Sequence, residues 1–189
     1  MAGRRGWSAE DNQYLSQDEL KRFFANIEGR NRKRDTCLFM LMYRHGLRVS
    51  EALALRWDDI DFTRGHIRIR RKKNGISGEH PLARDLLKVL RSYQRTSTDT
   101  PFLFEITRVR VYVIFRQTAE RAGLSVPKQH PHCLRHSIAV HLLDAGTGIE
   151  FVKDHLGHRN YRHTFVYAKI SDVRKKKEYQ RLEGSEFIV

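Results

Sequence analysis

Arg32-Lys-Arg-Asp-Thr-Cys-Leu-Phe-Met-Leu-Met-Tyr-Arg-His45 reads as one helix, and its centre, Cys37-Leu-Phe-Met-Leu-Met-Tyr43, is apolar all round. A surface helix carries one apolar stripe, whereas a helix that is apolar on every side is enclosed by others. This segment is therefore expected to be the buried central helix of a domain, with the other elements packed around it. Gly46 stops it. Ser50 is placed to cap a third helix, Glu51 to Leu55.

On the N-terminal side, Ser16 with Glu19 three residues later is a capping-box signature. The helix behind it puts Leu20, Phe23, Phe24 and Ile27 on one face. Residues 1–14 are basic, small or polar and are expected to be a flexible segment. On the C-terminal side, Trp57 to Asp61 reads as a turn. His66-Ile-Arg-Ile-Arg70 alternates apolar and basic residues, as a half-buried strand does. Lys72-Lys-Asn-Gly75 makes a basic turn and Ile76 to Leu82 the returning strand. Helices are expected from Ala83 to Arg95, Arg108 to Ala122, His132 to Ala145, Ile149 to Leu156 and Arg162 to Ala168, with a last one after Ser171. The expected class is mainly α with a small antiparallel β-sheet (α+β), as a single domain over residues 15–182. Residues 183–189 form a tail ending on Phe187-Ile-Val189.

The 189 residues carry 36 Lys and Arg against 22 Asp and Glu, a net charge of +14. Such an excess, spread along the whole chain, suits a polyanion, with nucleic acid the default. A membrane-surface protein would gather its charge beside one amphipathic helix. No apolar run approaches the roughly 20 residues of a membrane span, and the N-terminus lacks the apolar core of a signal peptide. Retention in the cytosol or nucleus is expected. The two cysteines, Cys37 and Cys133, lie in apolar-periodic segments and read as reduced, buried thiols.

Chemistry-bearing residues recur at intervals. Arg48 follows the central helix in His45-Gly-Leu-Arg-Val-Ser-Glu51, where orphan N–H groups also favour anions; a plain Arg48–Glu51 surface pair is the alternative. In His132-Cys-Leu-Arg-His136, His132 and Arg135 share a helix face, with His136 close by. A zinc site using His132, Cys133 and His136, with His130, is disfavoured because Cys133 points to another side than His132. Leu156-Gly-His158 ends a helix and exposes a further imidazole. Tyr167 follows nine residues later; it is one of seven tyrosines, with Tyr161 the local rival.

The order of Arg48 in HGLRVSE, a hairpin lysine, HCLRH, LGH and Tyr167 resembles the tyrosine recombinases, the phage-integrase family. The likeness runs from about Leu15 to Ile170. HPHCLRHS and DHLGHRNYRHT carry a nearer likeness to the short fimbrial phase-variation invertases. Residues 1–14 leave no room for the core-binding domain of larger members, and no arm-binding domain is expected either.

The resemblance implies a tyrosine recombinase catalytic-domain fold and a set of roles. Tyr167 attacks the scissile phosphate and forms a 3′-phosphotyrosyl link. Arg48 and Arg135 bind the non-bridging oxygens. Lys73, eight residues before Pro81 as the family's hairpin spacing suggests, protonates the leaving 5′-oxygen. His132 assists proton transfer, His158 donates to the phosphate, and Glu51 supports the arginine or histidine. Arg70, Arg71 and Lys72 are expected DNA contacts. No metal and no other cofactor is implied. The implied partners are double-stranded DNA, other copies in a tetrameric synapse and accessory DNA-bending proteins, with no membrane, in a bacterial cytoplasm. A relaxing enzyme of the type IB topoisomerase kind and a non-catalytic DNA-binding regulator are the alternatives.

Overall fold

The computed structural model describes residues 13–71, 76–96, 100–168, 179–180 and 183. Helix α1 spans Gln17–Ala25. Its start is fixed by the capping box: Ser16 Oγ accepts the Glu19 N–H, and the Glu19 carboxylate accepts the Ser16 N–H at 2.8 Å. Leu20 and Phe23 are buried on its inner face.

Helix α2, Arg32–Arg44, is the enclosed centre. Cys37, Leu38, Phe39, Leu41 and Met42 are each at most 1% exposed, so the helix is the core element expected, while Met40 and Tyr43 stay half-buried along an open groove. Phe39 meets Phe23 of α1 and Phe115 in an aromatic knot with ring centroids 4.6 to 5.5 Å apart. Gly46 ends the helix at φ +57°. A Cβ there would collide with the Leu156 side chain, so the position needs glycine twice over, for its backbone angle and for the close approach.

Helix α3 departs from expectation. It runs Val49–Ala52, with Arg48 and not Ser50 at its N-cap. The physical reason is Glu51, whose carboxylate reaches back to the Arg48 N–H at 2.9 Å and sets the helix start two residues earlier. Ala54 and Leu55 then bond to carbonyls three residues back, a tightening that closes the helix before Leu55.

Among the described residues the sheet has three strands, one more than the sequence suggests: β1 (Ile60–Asp61), β2 (His66–Ile69) and β3 (Gly78–Pro81), antiparallel in that order. The expected turn at Trp57 to Asp61 is a 3₁₀ turn, Trp57–Asp59, running into β1. β2 alternates as predicted, with Ile67 and Ile69 buried. β3 is shorter than expected and mostly exposed. The basic turn Lys72–Gly75 lies outside the described residues, as do residues 1–12, the helix expected after Ser171 for the most part, and nearly all of the tail.

Helix α4 (Arg84–Gln94) buries Leu86 and Leu90, with Leu87 only half-buried. Helix α5 (Arg108–Arg121) starts on a Thr107 cap, and α6 (His132–Asp144), α7 (Ile149–Leu156) and α8 (Arg162–Ala168) follow. α6 is apolar enough to lie between α2 and the pair α7 and α8, which sets the ends of α2 and α7 side by side beneath α6. Among the described residues no helix is long and apolar enough to cross a membrane.

Candidate active site

Two helices end at the centre of the site. The last carbonyls of a helix have no partner within it and carry the negative end of the helix dipole. Here those carbonyls are met by arginines. Arg135 of α6 donates through Nη1 to the Gly46 carbonyl and through Nη2 to the Leu156 carbonyl at 2.8 Å. Arg71, just after β2, donates to the carbonyls of His45 at 3.0 Å, Gly46 at 3.3 Å and His155 at 2.6 Å. Both guanidiniums are 1% exposed.

Glu51 of α3 is the counter-charge. Its carboxylate, fully buried, accepts from Arg48 Nη1 at 2.8 Å and Arg71 Nη1 at 2.9 Å, with Arg135 Nη1 at 3.9 Å. Burial alone would raise its pKa; the Arg48 backbone hydrogen bond and the charges of Arg71 and Arg135 outweigh that and hold it below the usual range. Three guanidiniums thus share one carboxylate. The surplus of positive charge in a site largely withdrawn from water is unfavourable until an anion enters it.

Gly157 makes this packing possible. It sits at φ +66°, and a Cβ there would lie 2.9 Å from Arg71 Cγ and Nε and from the Ile76 carbonyl. LGH and HGLR therefore have their glycines where α7 and α2 close on Arg71 and on each other.

Arg48, His132, Arg135, His136, His158, Arg162, His163, Val166 and Tyr167 line one cavity of about 330 Å³. A larger groove of about 870 Å³, lined by Leu20, Phe24, Met40, Ile138 and Phe151 among others, holds none of the predicted catalytic side chains. Five of the predicted residues, Arg48, His132, Arg135, His158 and Tyr167, thus converge from four separate segments. The Arg48 side chain is 40% exposed, so one of its faces is open to a ligand.

Tyr167, 3% exposed, places its hydroxyl 2.9 Å from His136 Nδ1. Burial pushes the phenol up to about 12, against the pull of Arg135 and Arg48. His158 is paired through Nδ1 with the hydroxyl of fully buried Thr164 at 2.9 Å. Burial, then Arg135 and Arg48, lower His158 to about 3. His132 has an edge open to solvent, yet the protein packed around it, then Arg135, His130 and Arg48, bring it down to about 4. His136 falls to about 3 through burial and then His132, His130 and Arg135. Burial, with Arg48 and Arg71 nearby, lowers Arg135 to about 9. At neutral pH the imidazoles are therefore neutral and the guanidinium is charged.

The remaining predicted residues are distributed differently. Lys72 and Lys73 lie outside the described residues. Arg70 is 56% exposed and paired with Asp59 at 2.7 Å. The expectation that Arg71 contacts DNA is corrected: its side chain turns inward to Glu51 and the helix ends, leaving no open face. Tyr161 is 41% exposed and does not line the cavity. Among the described residues no group of three His, Cys, Asp or Glu side chains is arranged to hold a metal. Sequence reasoning missed His136 as the partner of Tyr167, Thr164 as the partner of His158, and Arg71 as the strut under Glu51. Only His136 carried a signal, four residues from His132.

The profile of the phage integrase family matches residues 13–174. "Type 1 fimbriae regulatory protein FimE" of Escherichia coli (strain K12) is 36% identical over 174 residues, covering 85% of this chain and 87% of the relative. The crystal structure of XerA recombinase superposes with a TM-score of 0.77 at 26% identity, covering 91% of this chain and 65% of that one. XerH site-specific recombinase, bound to palindromic difH substrate, gives the same TM-score at 23% identity, covering 91% of this chain and 54% of that one.

Proposed function

The chain belongs to the phage integrase family, and from that premise we propose that it is a tyrosine-type site-specific recombinase that cuts and rejoins double-stranded DNA. Tyr167 is the nucleophile. Its oxygen bonds to phosphorus, the bond to the 5′-oxygen breaks, and a 3′-phosphotyrosyl link holds the strand until the reverse step reseals it.

Arg48 and Arg135 take the non-bridging oxygens. Their planar donors match the phosphate, and the surplus positive charge balances the charge of the pentacoordinate transition state. Glu51 and Arg71 hold both clamps in place. His158, oriented through Thr164, presents its other nitrogen, Nε2, to a phosphate oxygen. Lys73 protonates the leaving 5′-oxygen, and Lys72 and Arg70 contact the DNA backbone.

The observation that supports this reading is the single cavity shared by Arg48, His132, Arg135, His158 and Tyr167. Its small volume suits one phosphate group. The likeness to the fimbrial regulator FimE supports inversion of a DNA segment as the outcome, with integration or excision as the family's other uses. Strand exchange between two duplexes calls for a tetrameric synapse, with DNA-bending proteins assisting, in the bacterial cytoplasm at the nucleoid.

The test is a nicked duplex built from inverted repeats that flank the gene. Incubation is expected to trap a protein–DNA adduct that survives denaturant and disappears in Tyr167→Phe. An adduct that persists in Tyr167→Phe and vanishes in Tyr161→Phe would overturn the nucleophile.

A further inference from the structure

We propose that His136 takes the proton from the Tyr167 hydroxyl as that oxygen attacks phosphorus, and returns it when the strand is resealed. This deepens the recombinase reading and rests on Tyr167 as the nucleophile.

The geometry carries the argument. His136 Nδ1 is 2.9 Å from Tyr167 Oη, with both residues at most 8% exposed. At that separation the two atoms share a proton, and little water competes for it. His136 follows Arg135 directly on α6, so one helix turn carries a phosphate clamp and the tyrosine's partner together. His132, the histidine expected to assist, sits one turn earlier, with its ring edge-on to His136 at 4.5 Å between centroids. Its edge reaches solvent. His132 thus stands on the solvent side of His136.

The groups facing His136 are His132 and Arg135 on its own helix, His130 before it, His158 beyond α7 and Tyr167 on α8. Apart from Tyr167 they are neutral or positive, and with burial they keep its imidazole uncharged, one nitrogen carrying no proton. At rest, neutral imidazole faces neutral phenol and the proton stays on oxygen. As the bond from Oη to phosphorus forms, the oxygen loses its hold on the proton and Nδ1 receives it. The balance is complete: the bond from oxygen to phosphorus forms, the bond from phosphorus to the 5′-oxygen breaks, the phenolic proton moves to His136, and the general acid supplies a proton to the 5′-oxygen.

The first measurement needs no DNA. Long-range ¹H–¹⁵N correlation spectra of the imidazoles in the full chain are compared with those of Tyr167→Phe. His136 Nδ1 is expected to be unprotonated and to shift when the phenol oxygen is removed. An Nδ1 that carries the proton in the wild-type chain overturns the proposal.

The second follows adduct formation from pH 6 to 9 on the nicked duplex described above. His136→Asn keeps a polar group near Oη but accepts no proton. It is expected to be about 100-fold slower at pH 7, with the gap closing as hydroxide replaces the base, while binding the duplex as the wild type does. His132→Asn is expected to lose about tenfold. A wild-type rate and pH profile in His136→Asn, or the larger loss falling on His132→Asn, overturns this proposal alone. An adduct that survives Tyr167→Phe overturns the nucleophile assignment and this proposal with it.

Discussion

The guanidinium of Arg71 lies 2.9 Å from the carboxylate of Glu51, with neither side chain more than 1% exposed. The same guanidinium closes the ends of α2 and α7. One buried ion pair therefore joins the sheet, the helix ends and the carboxylate that steadies Arg48. Removing one partner strands the other charge in the interior.

Arg71→Met is accordingly expected to destabilise the fold by about 3–5 kcal/mol, read as a lower urea midpoint. Glu51→Gln is expected to do the same in smaller measure, since it keeps a hydrogen-bonding group. A midpoint unchanged in both would remove the strut from the account.

Arg48 and Arg135 should separate stability from chemistry. Arg48 is 40% exposed, whereas Arg135 is buried on the carbonyls of Gly46 and Leu156. Arg48→Lys is expected to lower adduct formation about 100- to 1,000-fold with little change in melting temperature. Arg135→Lys is expected to lose both. Near-normal cleavage in both variants would sink the phosphate clamp.

Thr164 is fully buried and hydrogen-bonded to His158 Nδ1. Thr164→Val keeps the shape and deletes the hydroxyl; about a tenfold fall in adduct rate is expected, in line with lost second-sphere partners elsewhere. Thr164→Ser should restore most of it. Equal rates in the two variants would mean that His158 is oriented by packing alone.

Two glycines offer a comparison. Gly157 and Gly29 both have positive φ, but a Cβ would strike Arg71 only at Gly157 and meets nothing within 4 Å at Gly29. Gly29→Ala is expected to cost about 1–2 kcal/mol from its backbone angle. Gly157→Ala should cost more and should also slow cleavage, because it displaces Arg71. Equal costs in urea titrations would show that the approach to Arg71 does not matter.

His132, His136 and His158 fall to between about 3 and 4 in the folded chain, from an ordinary value near 6.5. Below pH 6.5 the unfolded chain binds these protons and the folded chain does not. Stability therefore declines as pH falls from about 6.5 toward 4. Glu51, held low, keeps its contribution above the ordinary carboxylate range and loses it as pH falls through its own lower value. Urea midpoints from pH 7.5 to 4.5 test this; a flat profile between 6.5 and 5 would contradict imidazoles held neutral in the folded chain.

Much of the fold was legible because helix periodicity, caps and glycine stops are local. The buried core of Cys37 to Met42, apart from half-buried Met40, the Ser16–Glu19 box and the span of α7 stand as read. Local signals misjudged the start of α3, because the competing cap was a carboxylate whose reach depends on the turn already being formed. They also missed β1, since two residues are too short for an alternating pattern.

Within the site, the order of short motifs and their likeness to the phage integrase family pointed to Arg48, Arg135, His132, His158 and Tyr167, and these side chains line one cavity. What each one touches was decided by the tertiary structure. Arg71 was expected to contact DNA; the ends of α2 and α7, brought together beneath α6, turned it inward. His136 looked like a neighbour of His132; the packing of α8 on α6 placed it on Tyr167. A motif specifies which groups are present within a few residues of each other. A buried charge or a shared proton depends on which distant backbone and side-chain atoms share its surroundings, and only the assembled helices determine that.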